Sequence, residues 1–434
     1  MDRIAIVNMG CPKNQIDSET MSGLLAEEGY QLTPHPESAD IIVVNTCSFI
    51  DEARQESIDQ ILTMAKYKKT GCCRQLLVTG CLAQMHHQEL AQEIPEVDGF
   101  LGTGSVDKIL EVIKGEGALI SPPEQYDGRA ETRRLLSTYP FGYLKIAEGC
   151  SNHCSYCVIP KLRGPLRSKE LNQILSEARW LVQRGVKEII LIAQDTSQYG
   201  LDIGGISLLP QLLRELEEIP GLQWMRLLYC YPDNITDELI DVIAASNKLC
   251  KYLDIPLQHS HPSILSSMGR RGRGEARELI DKLRCRIPDI SLRTTFIVGY
   301  PGETQEHFHH LLDFIRWAEF DHLGAFTYSQ EEATRAGAMK NQVAPAIKKN
   351  RYHQLMTAQQ QIVRNRNQKL IGSKYDVLVD TISQGLAYGR SYREAPEIDS
   401  NIIFPAMSVE VGDFVSVRCT SFDGYDLMGE IDNG

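Results

Sequence analysis

Short apolar runs alternate with longer amphipathic stretches along most of the chain, the pattern of parallel strands flanked by helices. Over the first hundred residues three runs read as buried strands: RIAIVNM (3–9), DIIVVNT (40–46) and QLLVTG (75–80). Helical periodicity follows in DSETMSGLLAEEGY (17–30) and DEARQESIDQILTMAKY (51–67). These elements predict a doubly wound α/β domain over residues 1–120. A Pro-, Gly- and charge-rich stretch, SPPEQYDGRAETRRLL (121–136), reads as a linker. Beyond it, FGYLKIAEGC (141–150), EIILIAQD (188–195), WMRLLYC (224–230), KYLDIPLQ (251–258), LRTTFIVG (292–299) and HLGAFTYS (322–329) are separated by amphipathic stretches. About six βα units predict a partial (βα)6 barrel of the TIM type over 137–371, with its site at the strands' carboxyl ends. The stretch 344–371 reads as a connecting helix with six Lys/Arg and no acidic residue. From Gly372 the class changes, and YDVLVDTI, LAYGRSY, FVSVRC and YDLMGEI read as a small antiparallel β-barrel over 372–434.

A length of 434 residues suggests two to four domains, and 42% hydrophobic with 24% charged residues is ordinary for a soluble protein. No apolar run reaches the ~20 residues of a bilayer span. The start, MDRIAIVNMG, lacks the basic region and long apolar segment of a signal peptide, so a cytoplasmic protein is expected. In that reducing compartment twelve cysteines are metal ligands, catalysts or buried apolar residues rather than disulfides. A net charge of −12 disfavours bulk binding of nucleic acid and suits a basic protein partner.

Each of the first three strands ends at a cysteine: Cys11, Cys47 and Cys81. A doubly wound sheet binds ligands beyond the carboxyl ends of its strands, where three thiolates can hold a 4Fe-4S cluster with one iron open. The alternative is that a small apolar side chain suits a buried strand end. Cys72 and Cys73 fall outside this pattern, and Cys230, Cys250, Cys285 and Cys419 carry no assigned role.

The stretch EGCSNHCSYCVIP (148–160) has C-x3-C-x2-C spacing, with Tyr156 directly before the third cysteine. Cys150, Cys154 and Cys157 can take three corners of a 4Fe-4S cube and leave the fourth iron for a chelating ligand. The amino and carboxylate groups of S-adenosylmethionine are such a ligand, and one electron then breaks its sulfonium C–S bond. The alternatives are a zinc knuckle with His153 and a plain electron-transfer cluster, although zinc usually wants a fourth protein ligand and no second pair lies nearby.

These residues resemble the radical S-adenosylmethionine superfamily. Three N-terminal cysteines, the C-x3-C-x2-C barrel and a small terminal barrel resemble, over essentially the whole chain, the methylthiotransferases, whose last part is a TRAM domain. The resemblance implies two 4Fe-4S clusters: an auxiliary one on Cys11, Cys47 and Cys81, and the radical one on Cys150, Cys154 and Cys157. It also implies an electron donor such as ferredoxin or flavodoxin, and a sulfur source. Ser151 departs from the asparagine common in the family. Further matches in LIAQDTSQYG (191–200), LDIPLQH (253–259) and TTFIVGYPGET (294–304) make Gln194, Asp195 and Arg293 candidate contacts of the cofactor's polar groups at strand ends. Gly299 and Gly302 are candidates for close backbone approach or tight turning, and Tyr156 for a cofactor contact.

One methylthiotransferase branch modifies an adenosine of transfer RNA, and another an aspartate of the twelfth protein of the small ribosomal subunit. GCPKNQIDSE (10–19), NTCSFIDEARQES (45–57), AQDTSQYG (193–200) and GRSYREAPEID (389–399) resemble the ribosomal-protein branch. Residues 372–434 carry four Lys/Arg against eleven Asp/Glu, 4 − 11 = −7. That barrel cannot release counterions from RNA broadly, whereas an acidic face complements a basic ribosomal protein. The basic helix at 344–371 either touches RNA or packs beside the acidic barrel, and the second is favoured. The resemblance implies methylthiolation at the aspartate β-carbon, a methylene whose C–H has no useful acidity for a general base.

Overall fold

The computed structural model describes residues 2–48, 50–125, 133–136, 138–270 and 276–432. The expected linker therefore lies partly outside the described residues. The chain gathers into two compact units that cut it differently from the sequence-based spans. The first comprises Met1–Thr138, Lys145–Asn152 and Cys157–Lys169; the second comprises Tyr139–Leu144, His153–Tyr156 and Glu170–Gly434.

The first unit is built on a six-stranded parallel sheet. From one edge its strands run Gln31–Leu32, Arg3–Asn8, Ile41–Thr46, Gln75–Gly80, Gly99–Leu101 and Ala118–Leu119. Successive side chains of a strand point to opposite faces, so Ile42, Val44, Leu76 and Val78 feed one core while Ile41, Val43 and Leu77 feed the other. Two buried faces explain why these strands read as continuous apolar runs. The chain leaves Arg3–Asn8 toward one side of the sheet and returns to the other, so the order reverses between Arg3–Asn8 and Ile41–Thr46. That reversal is a topological switch point, where doubly wound sheets form their binding crevice. The first helix spans Pro12–Glu27, opening five residues before the apolar periodicity begins. Proline is favoured at a helix start, and these opening residues bury the polar Lys13, Asn14 and Asp17 alongside the single apolar Ile16. A hydrophobic pattern does not register such a turn.

In the second unit six strands lie in chain order: Phe141–Lys145, Glu188–Ile192, Trp224–Leu227, Leu249–Gln258, Ser291–Val298 and His322–Thr327. The five between Glu188 and Thr327 pair in parallel. This is the open (βα)6 barrel. The first strand stops at Lys145, short of the expected 150, and Ala147–Glu148 instead pairs antiparallel with Arg167–Ser168. A closed five-stranded barrel follows at the carboxyl end, around Val377, Val379, Phe404, Val417 and Leu427. Its strand Ile402–Pro405 escaped the sequence reading, being only four residues long, and it pairs in parallel with Asp426–Ile431 in an otherwise antiparallel barrel. Cys419 is part of this apolar core.

The stretch 389–399 ties this small barrel to the base of the large one. Arg390 donates to Glu188 at 2.7 Å and pairs with Asp380, and Arg226 donates to Glu188 at 2.6 Å and to the Tyr392 carbonyl at 2.7 Å. Arg393 pairs with Asp321, Tyr143 donates to Glu397 at 2.6 Å, and Tyr252 donates to Asp399 at 2.8 Å. The long helix Pro345–Leu370 turns three of its six cations inward: Lys348 onto the Tyr328 carbonyl, Arg351 onto Glu303 and Arg366 onto Asp321. It therefore seats chiefly on the large barrel, where the sequence reading set it beside the acidic one. Among the described residues, no helix is long and apolar enough to cross a membrane.

Candidate metal centres

At the switch point of the first unit, Cys11 precedes the helix Pro12–Glu27, Cys47 follows Thr46 directly, and Cys81 opens the helix Cys81–Glu93. Gly80, with φ of 92°, turns the chain into that helix, and a Cβ there would meet the Asn45 Oδ1 at 2.4 Å. Only glycine brings Cys81 this near the neighbouring strand end. Asn14 and Asn45 lock the two other strand ends together. Asn14 Nδ2 donates to the Thr46 carbonyl at 2.8 Å, and Asn45 Nδ2 donates to the Asn14 carbonyl at 2.8 Å. The Cys47 amide donates to Ser57 Oγ at 3.1 Å.

The three sulfurs share one electrostatic neighbourhood. Burial pushes the Cys81 thiol up to about 12; Arg163 opposes the shift, while Cys47 and Cys11 add to it. Without a counter-charge such a thiol stays protonated, and a bound metal is what makes a buried thiolate stable. Arg163 stands beside it, with Nη2 3.8 Å from Cys81 Sγ and 2.7 Å from Asn14 Oδ1, and Nη1 2.6 Å from Asp17. Lys145 completes this buried group, donating to Asp17 at 2.8 Å and to Glu148 at 2.6 Å. Burial alone would depress the Arg163 guanidinium, but Asp17, Cys81 and Glu148 outweigh it and hold it well above its ordinary value. Soft thiolates at the carboxyl ends of neighbouring strands suit iron.

The second cysteine triad lies on the loop between Ala147–Glu148 and the short helix Ile159–Arg163. Two of its sulfurs accept backbone hydrogen bonds, Cys150 from the Asn152 amide at 3.4 Å and Cys157 from the Ile159 amide at 3.5 Å. Donors aimed at sulfur favour the thiolate that a metal requires. In the first unit, the Cys150 amide donates to the Gly164 carbonyl at 3.0 Å, and Ser151 Oγ accepts from the Leu166 amide at 3.2 Å.

In the second unit, residues 153–156 are fixed by other partners. The Ser155 amide donates to the Met268 carbonyl at 2.8 Å, and its hydroxyl lies 2.8 Å from the Tyr300 hydroxyl. Arg270 donates to Tyr156 Oη at 3.3 Å and to the Pro256 carbonyl at 2.7 Å, with its guanidinium 4.1 Å from the centre of the Tyr231 ring. Burial would lower this arginine, but Tyr156, Cys154 and Tyr231 raise it above its ordinary value.

The remaining expected contacts separate by position. Gln194 and Asp195 follow the strand Glu188–Ile192 at its carboxyl end, where the Asp195 carboxylate accepts from the Ser197 amide at 3.1 Å and the Tyr231 amide at 3.3 Å. Gly299 has φ of 73° and Gly302 φ of 84°, around a turn in which the Glu303 carboxylate accepts from the Gly299 amide at 2.6 Å. Arg293 corrects the expectation. It is the third residue of Ser291–Val298, near the amino end, and pairs with Asp254 at 3.1 Å and Asp399 at 3.2 Å. Asp254, midway along its own strand, and Asp399 occupy its guanidinium.

Among the described residues none of the twelve cysteines forms a disulfide; Cys73, Cys230 and Cys250 are buried, and Cys72 and Cys285 are exposed. Among the described residues no three His, Cys, Asp or Glu side chains converge tightly enough for a single metal ion. A four-iron cube instead distributes its thiolates over separate irons.

Residues 144–315 match the Radical SAM superfamily, 371–431 the TRAM domain, and 3–102 an uncharacterized protein family, UPF0004. The chain is 50% identical, over 99% of its length and 98% of the relative's, to the ribosomal protein uS12 methylthiotransferase RimO of Geobacter sulfurreducens. It is 48% identical to the protein of that name from Desulforamulus reducens, over 99% of this chain and all of the relative. Among solved structures it is similar in fold to the radical S-adenosylmethionine methyltransferase TsrM of Kitasatospora setae, with a TM-score of 0.58 and 16% identity over 89% of this chain and 80% of that one.

Proposed function

Because the chain belongs to the ribosomal protein uS12 methylthiotransferases, radical S-adenosylmethionine enzymes with a terminal TRAM domain, we propose that it places a methylthio group on the β-carbon of a uS12 aspartate. Cys150, Cys154 and Cys157 hold the cluster that binds S-adenosylmethionine. Cys11, Cys47 and Cys81 would hold a second 4Fe-4S cluster, and a sulfur source is a further proposed partner. The observation that carries the second assignment is the placement of Cys11, Cys47 and Cys81 at the carboxyl ends of three neighbouring strands beside the sheet's switch point. When bound, the cofactors supply one-electron chemistry that opens a C–H bond no base of this chain could deprotonate.

The protein's own part is placement. Arg270 holds Tyr156 from one side, and the Ser155–Tyr300 contact fixes the backbone beside it, so that the cysteine loop meets its ligands with little to reorganise. Gln194, Asp195, Tyr156 and the backbone at Gly299 and Gly302 are the proposed contacts of the cofactor's polar groups, and the Ser197 and Tyr231 amides hold the Asp195 carboxylate in place. Residues 1–120, 137–371 and 372–434 are taken as the three functional parts.

The terminal barrel favours a basic protein over RNA. Arg390 and Arg393 are buried in the base of the large barrel, while Lys374 and Arg418 both pair with Asp432. Asp376, Glu410, Asp413, Asp423 and Glu430 remain exposed. Such an excess of exposed carboxylates steers a lysine- and arginine-rich substrate in the cytoplasm. A ferredoxin or flavodoxin is the proposed electron donor.

Anaerobic reconstitution tests the two-cluster assignment. About eight irons per chain are expected, with about four after Cys11→Ala/Cys47→Ala/Cys81→Ala. About four in the parent would refute it.

A further inference from the structure

Arg163 follows Cys157 by six residues, yet its side chain serves the other triad. Its last polar atoms reach Asn14 at 2.7 Å and the Cys81 sulfur at 3.8 Å, and Asp17 anchors it at 2.6 Å. The guanidinium is buried, as are Asp17, Lys145 and Glu148 around it. Two carboxylates and two cations balance within this group, so an ion pair with Asp17 alone would satisfy the charge. Lys145 already bridges Asp17 and Glu148. The second fork of Arg163, which points to Asn14 and Cys81, therefore has a use beyond neutralisation. Asn14 belongs to the helix that Cys11 caps, and it aims that fork by accepting from it.

Resting on the auxiliary-cluster reading above, we propose that Arg163 is a positioning residue that sets the reduction potential of the cluster held by Cys11, Cys47 and Cys81, through its N–H toward the Cys81 sulfur. A positive donor at a ligand sulfur draws electron density from the thiolate, and this stabilises the reduced, more negative cluster. Arginine does this where lysine cannot, because one planar fork engages Asp17 and the sulfur side together, while a single ammonium must choose.

The test uses the full chain with Cys150→Ala/Cys154→Ala/Cys157→Ala, which leaves only the N-terminal triad. After anaerobic reconstitution, iron is counted and the potential is measured by titration followed by electron paramagnetic resonance. Absence of iron in this parent overturns the auxiliary-cluster reading itself. With about four irons retained, Arg163→Lys and Arg163→Gln are expected to shift the couple to lower potential, by about tenfold in the reduced-to-oxidised ratio, ~59 mV for one electron. An unchanged potential with iron retained overturns the role of Arg163. A variant that loses iron or unfolds is replaced by a measurement on the parent labelled with ¹⁵N-arginine. A ¹⁵N coupling to the reduced cluster supports the contact, and its absence overturns it.

Discussion

Glu188 and Arg390 meet at 2.7 Å although 202 residues separate them in the chain. Both are buried, and Arg226 and Asp380 close the group. The small terminal barrel is thereby fastened to the base of the large one through the stretch 389–399. A buried pair that loses one partner leaves an uncompensated charge, costing about 3–5 kcal/mol. Arg390→Leu is therefore expected to lower the stability of the second unit by about that amount, read by urea unfolding at neutral pH.

Acid should loosen the same junction. Burial would raise Glu188, but Arg226 and Arg390 hold it below its ordinary 4.5; burial likewise opposes, and Arg393 and Arg366 override, at Asp321. A carboxylate with a lowered folded value contributes stability that is complete above its ordinary value and is lost as pH falls through the folded one. Asp380, which burial raises despite Arg390, subtracts from that slope. Unfolding at a series of pH values should show stability falling below about 4.5, with a shallower fall in Glu188→Gln. An equal slope in both proteins would contradict this.

These contacts mark where the sequence is legible and where it is not. Apolar runs announced the strands Arg3–Asn8, Ile41–Thr46 and Gln75–Gly80, because both faces of that sheet are buried. Cysteines at their ends announced a site for the same reason of periodicity. Their partners Asn14 and Asp17 read as solvent-facing, as polar residues at the start of a helix do, and Lys145, Glu148 and Arg163 join them only through tertiary contacts. The i, i+3 spacing of Asn14 and Asp17, which puts both on one helix face, was the available signal. The stretch GRSYREAPEID illustrates a different limit. It carried a family resemblance, yet only tertiary contacts reveal that its charges fasten two barrels. Arg293 lies near the amino end of its strand in both the sequence and the structure, and its contact with Asp399 cannot be read from the strand.

Asn14 holds two strand ends and the Arg163 fork. Asn14→Ala removes buried donors to Asn45 and Thr46 and leaves Arg163 short of an acceptor. Loss of about 1–3 kcal/mol is expected in the first unit. Iron bound by Cys11, Cys47 and Cys81 should fall, while iron bound by the other triad is retained. Iron counts in the two triad-deleted backgrounds separate these effects.

Arg270 should matter to the other loop. Its fork joins Tyr156 to the Pro256 carbonyl and its face lies on Tyr231, a geometry that lysine cannot reproduce. Arg270→Lys is expected to keep its iron and to lower the yield of 5′-deoxyadenosine from S-adenosylmethionine about tenfold, equivalent to ~1.4 kcal/mol in the barrier. Product quantified by chromatography, beside an iron assay, checks both halves.

The central assignment is tested most directly on the substrate. uS12 is co-expressed with this chain, or with its Cys154→Ala variant, in cells lacking their own enzyme, and then mapped by mass spectrometry. One methylthio group on an aspartate of uS12 is expected with the parent and none with the variant. An unmodified uS12, above all beside a transfer RNA that has gained the group on an adenosine, would contradict it.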